Sequence, residues 1–481
     1  MGVLDKLEPK RIFHFFEEIS KIPRPSYKEK QISDYIKNFA IERGLEYIQD
    51  KSSNIIVIKE AAKGYENVDP IMLQVHIDMV CEKKPGVTKD MDKEGIDIDY
   101  DDKYIFAKGT TLGADDGIGD AIVLSLLDEK DLKAPRLEVV FTTSEEIGME
   151  GATDIDISML KARKLINVDS EEEGVFCVGC AGGSSTNIKY DAKIIEQTGN
   201  IIEIKYGGFT GGHSGQEITR QRANAIRAIG RVIAKAADKY DISIIEMSGG
   251  GKDNAIPRLS EAKILVKKED EANIVSLISE EACDINNEYK VTDGEAEISI
   301  TTVGEKKVKA TTIIETKKVL SFILNTPNGI LRMNVESEGI PETSLNLGVL
   351  EFKEGHLELV YAIRSSFESA RCALENEMKL FAELMGGKLY VNCPYPAWEY
   401  SENSKLKEEL VEIYKDMFGN EPKIQIIHAG LECGIMAGKI KGLDSISIGP
   451  NVLGAHTTEE KFEISSAKRL YEFLKKILEQ K

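Results

Sequence analysis

No stretch of this 481-residue chain approaches the ~18 uncharged apolar residues that a membrane span requires. Its start, MGVLDKLEPK, has no apolar h-region of the kind that marks a secretory leader. Gly2 would suit a myristoyl acceptor, but Lys6 stands where that signal has Ser or Thr. These absences set the expectation of a cytoplasmic protein with no membrane partner. Positive charge is also scarce: 62 Lys and Arg face 82 Asp and Glu, a net charge of -20. The basic residues are scattered among acids rather than gathered in stripes, so phosphate backbones are repelled and no nucleic-acid partner is expected. Cysteine is sparse and odd in number, seven in all, and most cysteines stand in apolar stretches, as with Cys372 and Cys393. A secreted disulfide framework is therefore not expected. Cys177-Val-Gly-Cys180 matches C-x-x-C, but no second pair completes a structural zinc site and no helix opens at it, so it reads as packing.

What is present is ordinary globular material, 42% apolar and 30% charged, with length enough for about three domains. Up to residue 185 the chain alternates helical and strand patterns, as an α/β sheet does. Helices are expected at Pro9 to Lys21, Lys28 to Arg43 and Gly117 to Leu127. Buried strands are expected at Asn54 to Ile58, Ile71 to Val75, Leu137 to Thr142 and Lys164 to Val168. From 186 to 397 strands and long helices follow in two loose rounds, an α+β region that would hold two similar lobes. The α/β alternation resumes from 398 to 481. One domain inserted into another, with boundaries 1–185, 186–397 and 398–481, is the simplest arrangement.

The chemistry concentrates at strand ends. In PIMLQVHIDMV, His76 and Asp78 are two residues apart and share one face, so the carboxylate can fix the imidazole tautomer while the other nitrogen binds a metal. In GTTLGADDGIG, Asp115 and Asp116 stand in a glycine-flanked loop before a helix. Asp116 suits the helix N-cap, and Asp115 has room to act as a ligand. Glu145 and Glu146 follow the strand LEVVFTT. Acidic pairs recur on polar helical faces elsewhere, but this one ends a buried strand. Asp169 ends KLINVDS in the same way. In an open α/β sheet such ends converge on one crevice. Asp115, Glu146 and Asp169 bring three negative charges there, which two divalent cations and one hydroxide would neutralise. An oxygen and imidazole ligand set suits Zn first, with Mn or Co as alternatives. A further ligand must come from far along the chain. Only six histidines exist: His14 lies among phenylalanines and reads as core, His356 sits in a turn, and His456 in NVLGAHTTEEKF competes with His428 at a strand end before AGLECG.

These motifs occur in the order and spacing of the co-catalytic metallopeptidases that include aminoacylases, carnosinases and peptidase T-like enzymes. GTTLGADDGIG, VGCAGG, YGGFTGGHSG, HAGLECG and the late GAHT extend the match over nearly the whole chain, and it most resembles the aminoacyl-histidine (Xaa-His) dipeptidase branch. The resemblance implies a mixed-sheet, two-metal exopeptidase domain with an inserted α+β lid. It implies that Asp115 bridges the metals, with His76 and Asp169 completing one site and Glu146 and His456 the other. Glu145 would be the general base toward a water that the paired metals acidify, and Asp78 would orient His76. His213 in GGHSG would contact the developing oxyanion, while Asn254 and Arg364 would bind substrate, a guanidinium being suited to a dipeptide's carboxylate. The implied activity is hydrolysis of dipeptides with a free carboxylate, Xaa-His among them, and a homodimer is compatible with it. A tripeptide aminopeptidase or aminoacylase is the neighbouring alternative. From another class, a non-catalytic peptide-binding protein could keep the metals, though it would have no need of Glu145.

Overall fold

The computed structural model describes residues 2–335 and 339–480. The chain divides into two compact units: Met1–Gly179 with Tyr400–Ile426 and Leu431–Lys481, and Cys180–Glu399 with Ile427–Gly430. The sequence pattern put the crossings at 185/186 and 397/398. No feature of the pattern signals the short return at 427–430.

In the first unit an eight-stranded sheet runs in the order Glu46–Gln49, Ile55–Lys59, Leu137–Thr142, Ile71–His76, Lys164–Asn167, Asp444–Ser447, Val175–Cys180, Lys423–Ile427. The strands Leu137–Thr142, Ile71–His76, Lys164–Asn167 and Asp444–Ser447 are mutually parallel. Their apolar runs are buried, as parallel strands covered on both faces must be. Register places His76 beside Thr142 and Gln74 beside Asn167, so all four strands end on one edge. Just short of that edge lies a buried polar layer. Asn167 Nδ2 donates to Gln74 Oε1 (2.6 Å), and Thr142 Oγ1 donates to Glu432 Oε2 (2.7 Å).

Helix Lys10–Ser20 buries Ile12, Phe13, Phe16 and Ile19 at helical spacing. His14, expected in the core, points outward instead and is exposed, because the neighbouring phenylalanines already define the buried stripe. Helix Lys30–Arg43 stops at Gly44, which takes the left-handed φ of 65°. Helix Ala114–Asp128 is buried almost all round, with Asp115 and Asp116 in non-helical conformations near its start. A four-stranded sheet joins Val452–Leu453 and Lys461–Glu463 to Tyr104–Ala107 and Ile98–Tyr100. Among the described residues, no helix is long and apolar enough to cross a membrane.

In the second unit the two rounds merge into one antiparallel sheet. Ile242–Gly250 of the first round pairs with Pro341–Lys353 of the second, and buried side chains from both rounds pack into one core. Strand alternation buries Ile202, Ile204 and Tyr206 while Glu203 and Lys205 face solvent. Where the chain enters and leaves this unit, Cys180 and Trp398 exchange both backbone hydrogen bonds, at 3.0 and 3.1 Å. Among the described residues no disulfide is formed. Cys372 and Cys393, expected in apolar surroundings, are exposed, one on the outer side of a helix and the other on the terminal strand of the sheet.

Candidate metal centre

The edge formed by the parallel strands carries the residues singled out from sequence. His76 closes its strand, Glu145 and Glu146 follow Leu137–Thr142, Asp169 follows Lys164–Asn167, and His456 lies in the loop between Val452–Leu453 and Lys461–Glu463. Asp115 stands at their centre. One of its oxygens, Oδ1, is 2.9 Å from His76 Nε2, and the other, Oδ2, is 3.0 Å from His456 Nε2. Asp169 Oδ1 lies on the His76 side, 3.5 Å from Nε2, and Glu146 Oε2 on the His456 side, 2.9 Å from Nε2. The ligand atoms of His76, Asp115 and Glu146 all fall within 4.8 Å of one another. Two overlapping groups, His76 with Asp169 and His456 with Glu146, thus share one carboxylate.

This geometry separates His456 from its rival. His428 belongs to the second unit, where it is buried and its Nε2 is 2.7 Å from Ser344 Oγ. Burial, reinforced by the charge of Arg364, pushes its pKa down to about 3.

Asp78 does more than face His76. Its Oδ1 is 3.5 Å from His76 Nδ1, and the same oxygen accepts the backbone N–H of Glu145 at 3.0 Å. Oδ2 accepts Ser26 Oγ–H at 2.7 Å and Glu146 N–H at 3.3 Å. Asp78 therefore fixes the turn carrying Glu145 and Glu146. That turn starts at Ser144, which has a left-handed φ of 55° and gives both its N–H (3.0 Å) and its hydroxyl (2.9 Å) to Glu29 Oε1. Buried Arg24 donates to the carbonyls of Ile77 (3.1 Å), Asp78 (2.9 Å) and Gly113, linking the His76 strand end to the Asp115 loop. Glu460 accepts N–H groups from that same loop. The expected N-cap role of Asp116 is not what the structure has. The helix start has no local side-chain cap, and Asp116 Oδ2 instead accepts the His76 N–H at 3.3 Å.

The electrostatics describe a site built for cations. Burial opposes charge on His76, but Asp169, Asp115 and Asp78 outweigh it and hold its pKa well above the ordinary value. Hydrogen bonds to Asp115 and Glu146 push His456 up to about 11 against the effect of burial. Asp115, between two imidazoles, is held well below the usual carboxylate range despite its burial. A proton on each imidazole and a divalent ion answer the same negative field, and a metal displaces the proton. The donor set of imidazole nitrogens and carboxylate oxygens, without thiolate, fits Zn, Mn or Co, and Glu146 Oε1 is buried without a hydrogen-bond partner. The three-charge tally taken from sequence is incomplete. Burial raises Asp120 to about 7, Glu432 to about 8 and Glu171 to about 7, and it raises Glu145 well above its ordinary value, with Asp169 and Glu146 adding to the effect.

Three further residues lie in the second unit. His213 pairs with Ala255 in a short ladder, and its Nδ1 accepts the N–H groups of Gly215 (3.3 Å) and Gln216 (3.1 Å). A neutral ring held this way carries its proton on Nε2, as a donor. Arg364, on strand His356–Ser365, donates from Nη1 to Tyr395 OH at 2.9 Å. Both side chains meet at Gly215, whose missing Cβ would lie 3.0 Å from Arg364 Nε and 3.0 Å from His213 Cε1. Asn254 is exposed and accepts Ser214 N–H at its carbonyl, 2.8 Å away.

Residues 72–480 match peptidase family M20/M25/M40, and the chain belongs to that family: it is a peptidase, and so a hydrolase. The cytosol non-specific dipeptidase of Escherichia coli (strain K12) is 35% identical over 483 residues, spanning 100% of this chain and 99% of that protein. The crystal structure of aminoacylhistidine dipeptidase from Vibrio alginolyticus matches with a TM-score of 0.85 and 33% identity, over 99% of this chain and 97% of that one. The aminopeptidase PepT of Bacillus cereus, 18% identical, shares the fold with a TM-score of 0.57 over 98% of both chains.

Proposed function

We propose that this chain is a cytoplasmic dipeptidase that hydrolyses dipeptides with a free C-terminal carboxylate, Xaa-His among them, using two divalent ions, zinc first. The observation that carries the reading is the Asp115 carboxylate, with each oxygen turned to the Nε2 of a different histidine. His76 and Asp169 would hold one ion with it, His456 and Glu146 the other. Ions bound there polarise a scissile carbonyl and lower the pKa of a water.

The chain's own groups do the rest. Glu145, its N–H pinned by Asp78 and its carboxyl raised by burial, takes the proton of the attacking water and returns it to the departing amine nitrogen. A base serves this exchange best when its pKa lies near the working pH. His213 offers Nε2–H to the developing oxyanion. Arg364 and Asn254 bind the terminal carboxylate, which in a dipeptide lies one residue beyond the scissile bond, so the guanidinium measures substrate length. A cytoplasmic setting agrees with the name of the Escherichia coli relative.

The test is product analysis by mass spectrometry on a panel of dipeptides and their C-terminal amides, with chelator and with added Zn, Mn or Co. Cleavage of the free dipeptides that stops with chelator and returns with metal is expected. Arg364→Ala should raise KM and erase the preference for free over amidated substrates. Equal wild-type rates on a dipeptide and its amide would overturn the carboxylate clamp and point to an aminopeptidase of broader length range.

A further inference from the structure

Glu460 lies four residues beyond His456, and its side chain is 3% exposed. Its two oxygens take four backbone amides of the loop that carries Asp115. Oε2 accepts from Leu112 (2.7 Å) and Gly113 (2.9 Å), and Oε1 from Ala114 (2.7 Å) and Asp115 (3.2 Å). These amides belong to the irregular turn that leads into the helix, where Asp115 and Asp116 are non-helical and no local side chain caps the chain. A carboxylate from about 345 residues away in sequence thus holds this turn, satisfying amides that would otherwise be buried without an acceptor. Gly113, at a left-handed φ of 69°, turns the chain so that successive amides point at one anion, as in a nest.

The loop at the other end of this bond holds His456, itself at a left-handed φ of 62°. Such a conformation persists in a non-glycine residue only where its surroundings dictate it. The hairpin that contains His456 and Glu460 is anchored by the pairs Val452–Phe462 and Leu453–Lys461, so fixing Glu460 fixes His456. One carboxylate therefore ties the loop bearing the shared ligand to the loop bearing the most distant one.

We infer that Glu460 is a positioning residue of the metal centre, setting the His456 imidazole and the Asp115 carboxylate at the separation that lets both hold the same ion. The inference rests on the metal reading given above. The side chain must be a full-length carboxylate. An amide would turn an N–H₂ donor toward N–H donors and lose half of the acceptor contacts, and aspartate is one methylene too short to reach both pairs of amides.

The obvious rival is that Glu460 only stabilises the fold. Glu138 supplies the comparison, because it is a fully buried carboxylate that accepts the backbone N–H groups of Lys161 and Ala162 and an N–H of Arg136 at the opposite end of the parallel strands from the candidate ligands. The test measures zinc content and zinc affinity by chelator competition, with thermal melting of metal-free and zinc-loaded protein, for the full chain and its Glu460→Gln, Glu460→Asp and Glu138→Gln variants. Glu460→Gln is expected to bind zinc about 10- to 100-fold more weakly and to show a lower kcat on a dipeptide at saturating zinc with KM little changed. Glu138→Gln is expected to lower the melting temperature without altering zinc affinity. If Glu460→Gln does not fold, Glu460→Asp, which keeps the charge, carries the same comparison. Loss of melting temperature with wild-type zinc affinity and kcat in the folded fraction would overturn the inference. A wild-type chain that binds no zinc, manganese or cobalt would instead overturn the metal reading beneath it.

Discussion

Replacing Gly215 by alanine adds one methyl group at the point where His213 and Arg364, the two side chains of the second unit proposed to face substrate, meet. Its ideal position is 2.7 Å from the His428 carbonyl oxygen, 3.0 Å from Arg364 Nε and 3.0 Å from His213 Cε1. Gly215 is not among the residues with positive φ, so alanine meets no backbone penalty and the effect is steric alone. The carbonyl belongs to the backbone and cannot swing aside. Comfortable contacts lie near 3.5 Å, so the neighbours must give by roughly 0.5 Å or more. Such overpacking costs about 1–3 kcal/mol of stability. A shift approaching 1 Å in positioning groups costs up to about 100-fold in rate, so kcat/KM on a dipeptide should fall by roughly 10- to 100-fold. Both constants should be affected, KM through Arg364 and kcat through His213. Steady-state kinetics with thermal melts measures this. Gly251→Ala is the control, since nothing lies within 4 Å of its ideal Cβ. A Gly215→Ala enzyme with wild-type kcat/KM would refute the convergence of these two side chains on the substrate.

Two further outcomes follow from the site and its surroundings. Glu145→Gln should lower kcat by about 10²- to 10⁴-fold while elemental analysis finds metal content unchanged. Loss of metal with the base gone would reverse the roles of Glu145 and Glu146. His428 has a folded-state pKa of about 3, below its ordinary 6.5, so the neutral ring is favoured on folding. Its contribution to stability is whole above pH 6.5 and is lost progressively as pH falls toward about 3. His428→Gln should flatten the fall in melting temperature over that window, and parallel wild-type and variant curves would count against the buried neutral ring.

The candidate ligands were legible because a buried apolar strand ending in histidine or acid asks for a chemical reason, and the parallel sheet brings those ends to one edge. His76, Glu146 and Asp169 were found in that way. His456 was harder, since sequence favoured it but kept His428 as a rival, and the structure sets His456 Nε2 beside Asp115 and Glu146. Glu460, Arg24 and Glu29 passed unnoticed because they act on backbone amides and carbonyls, which leave no residue-type pattern. Glu459-Glu460 looks like any other acidic pair of this chain. Asp116 was misread for a related reason: the turn that leads into its helix is held by Glu460, far along the chain. The strand Glu297–Thr311 was also missed. It forms one border of its sheet with most of its side chains exposed, so charges interrupt the alternation that marks a half-buried strand.

The paired hydrogen bonds between Cys180 and Trp398 have a consequence for how the chain assembles. Strand Asp444–Ser447 must insert between Lys164–Asn167 and Val175–Cys180 after the whole second unit has intervened. For an unstructured excursion of that length, closing the ends would carry a loop entropy that grows with the logarithm of its length. Once the second unit has folded with its two ends stapled together, the excursion that must close shortens to the segment between Trp398 and Asp444. The entropic cost of the long-range pairing in the first sheet is then set by that shorter segment, so prior folding of the inserted unit would favour closure of the sheet.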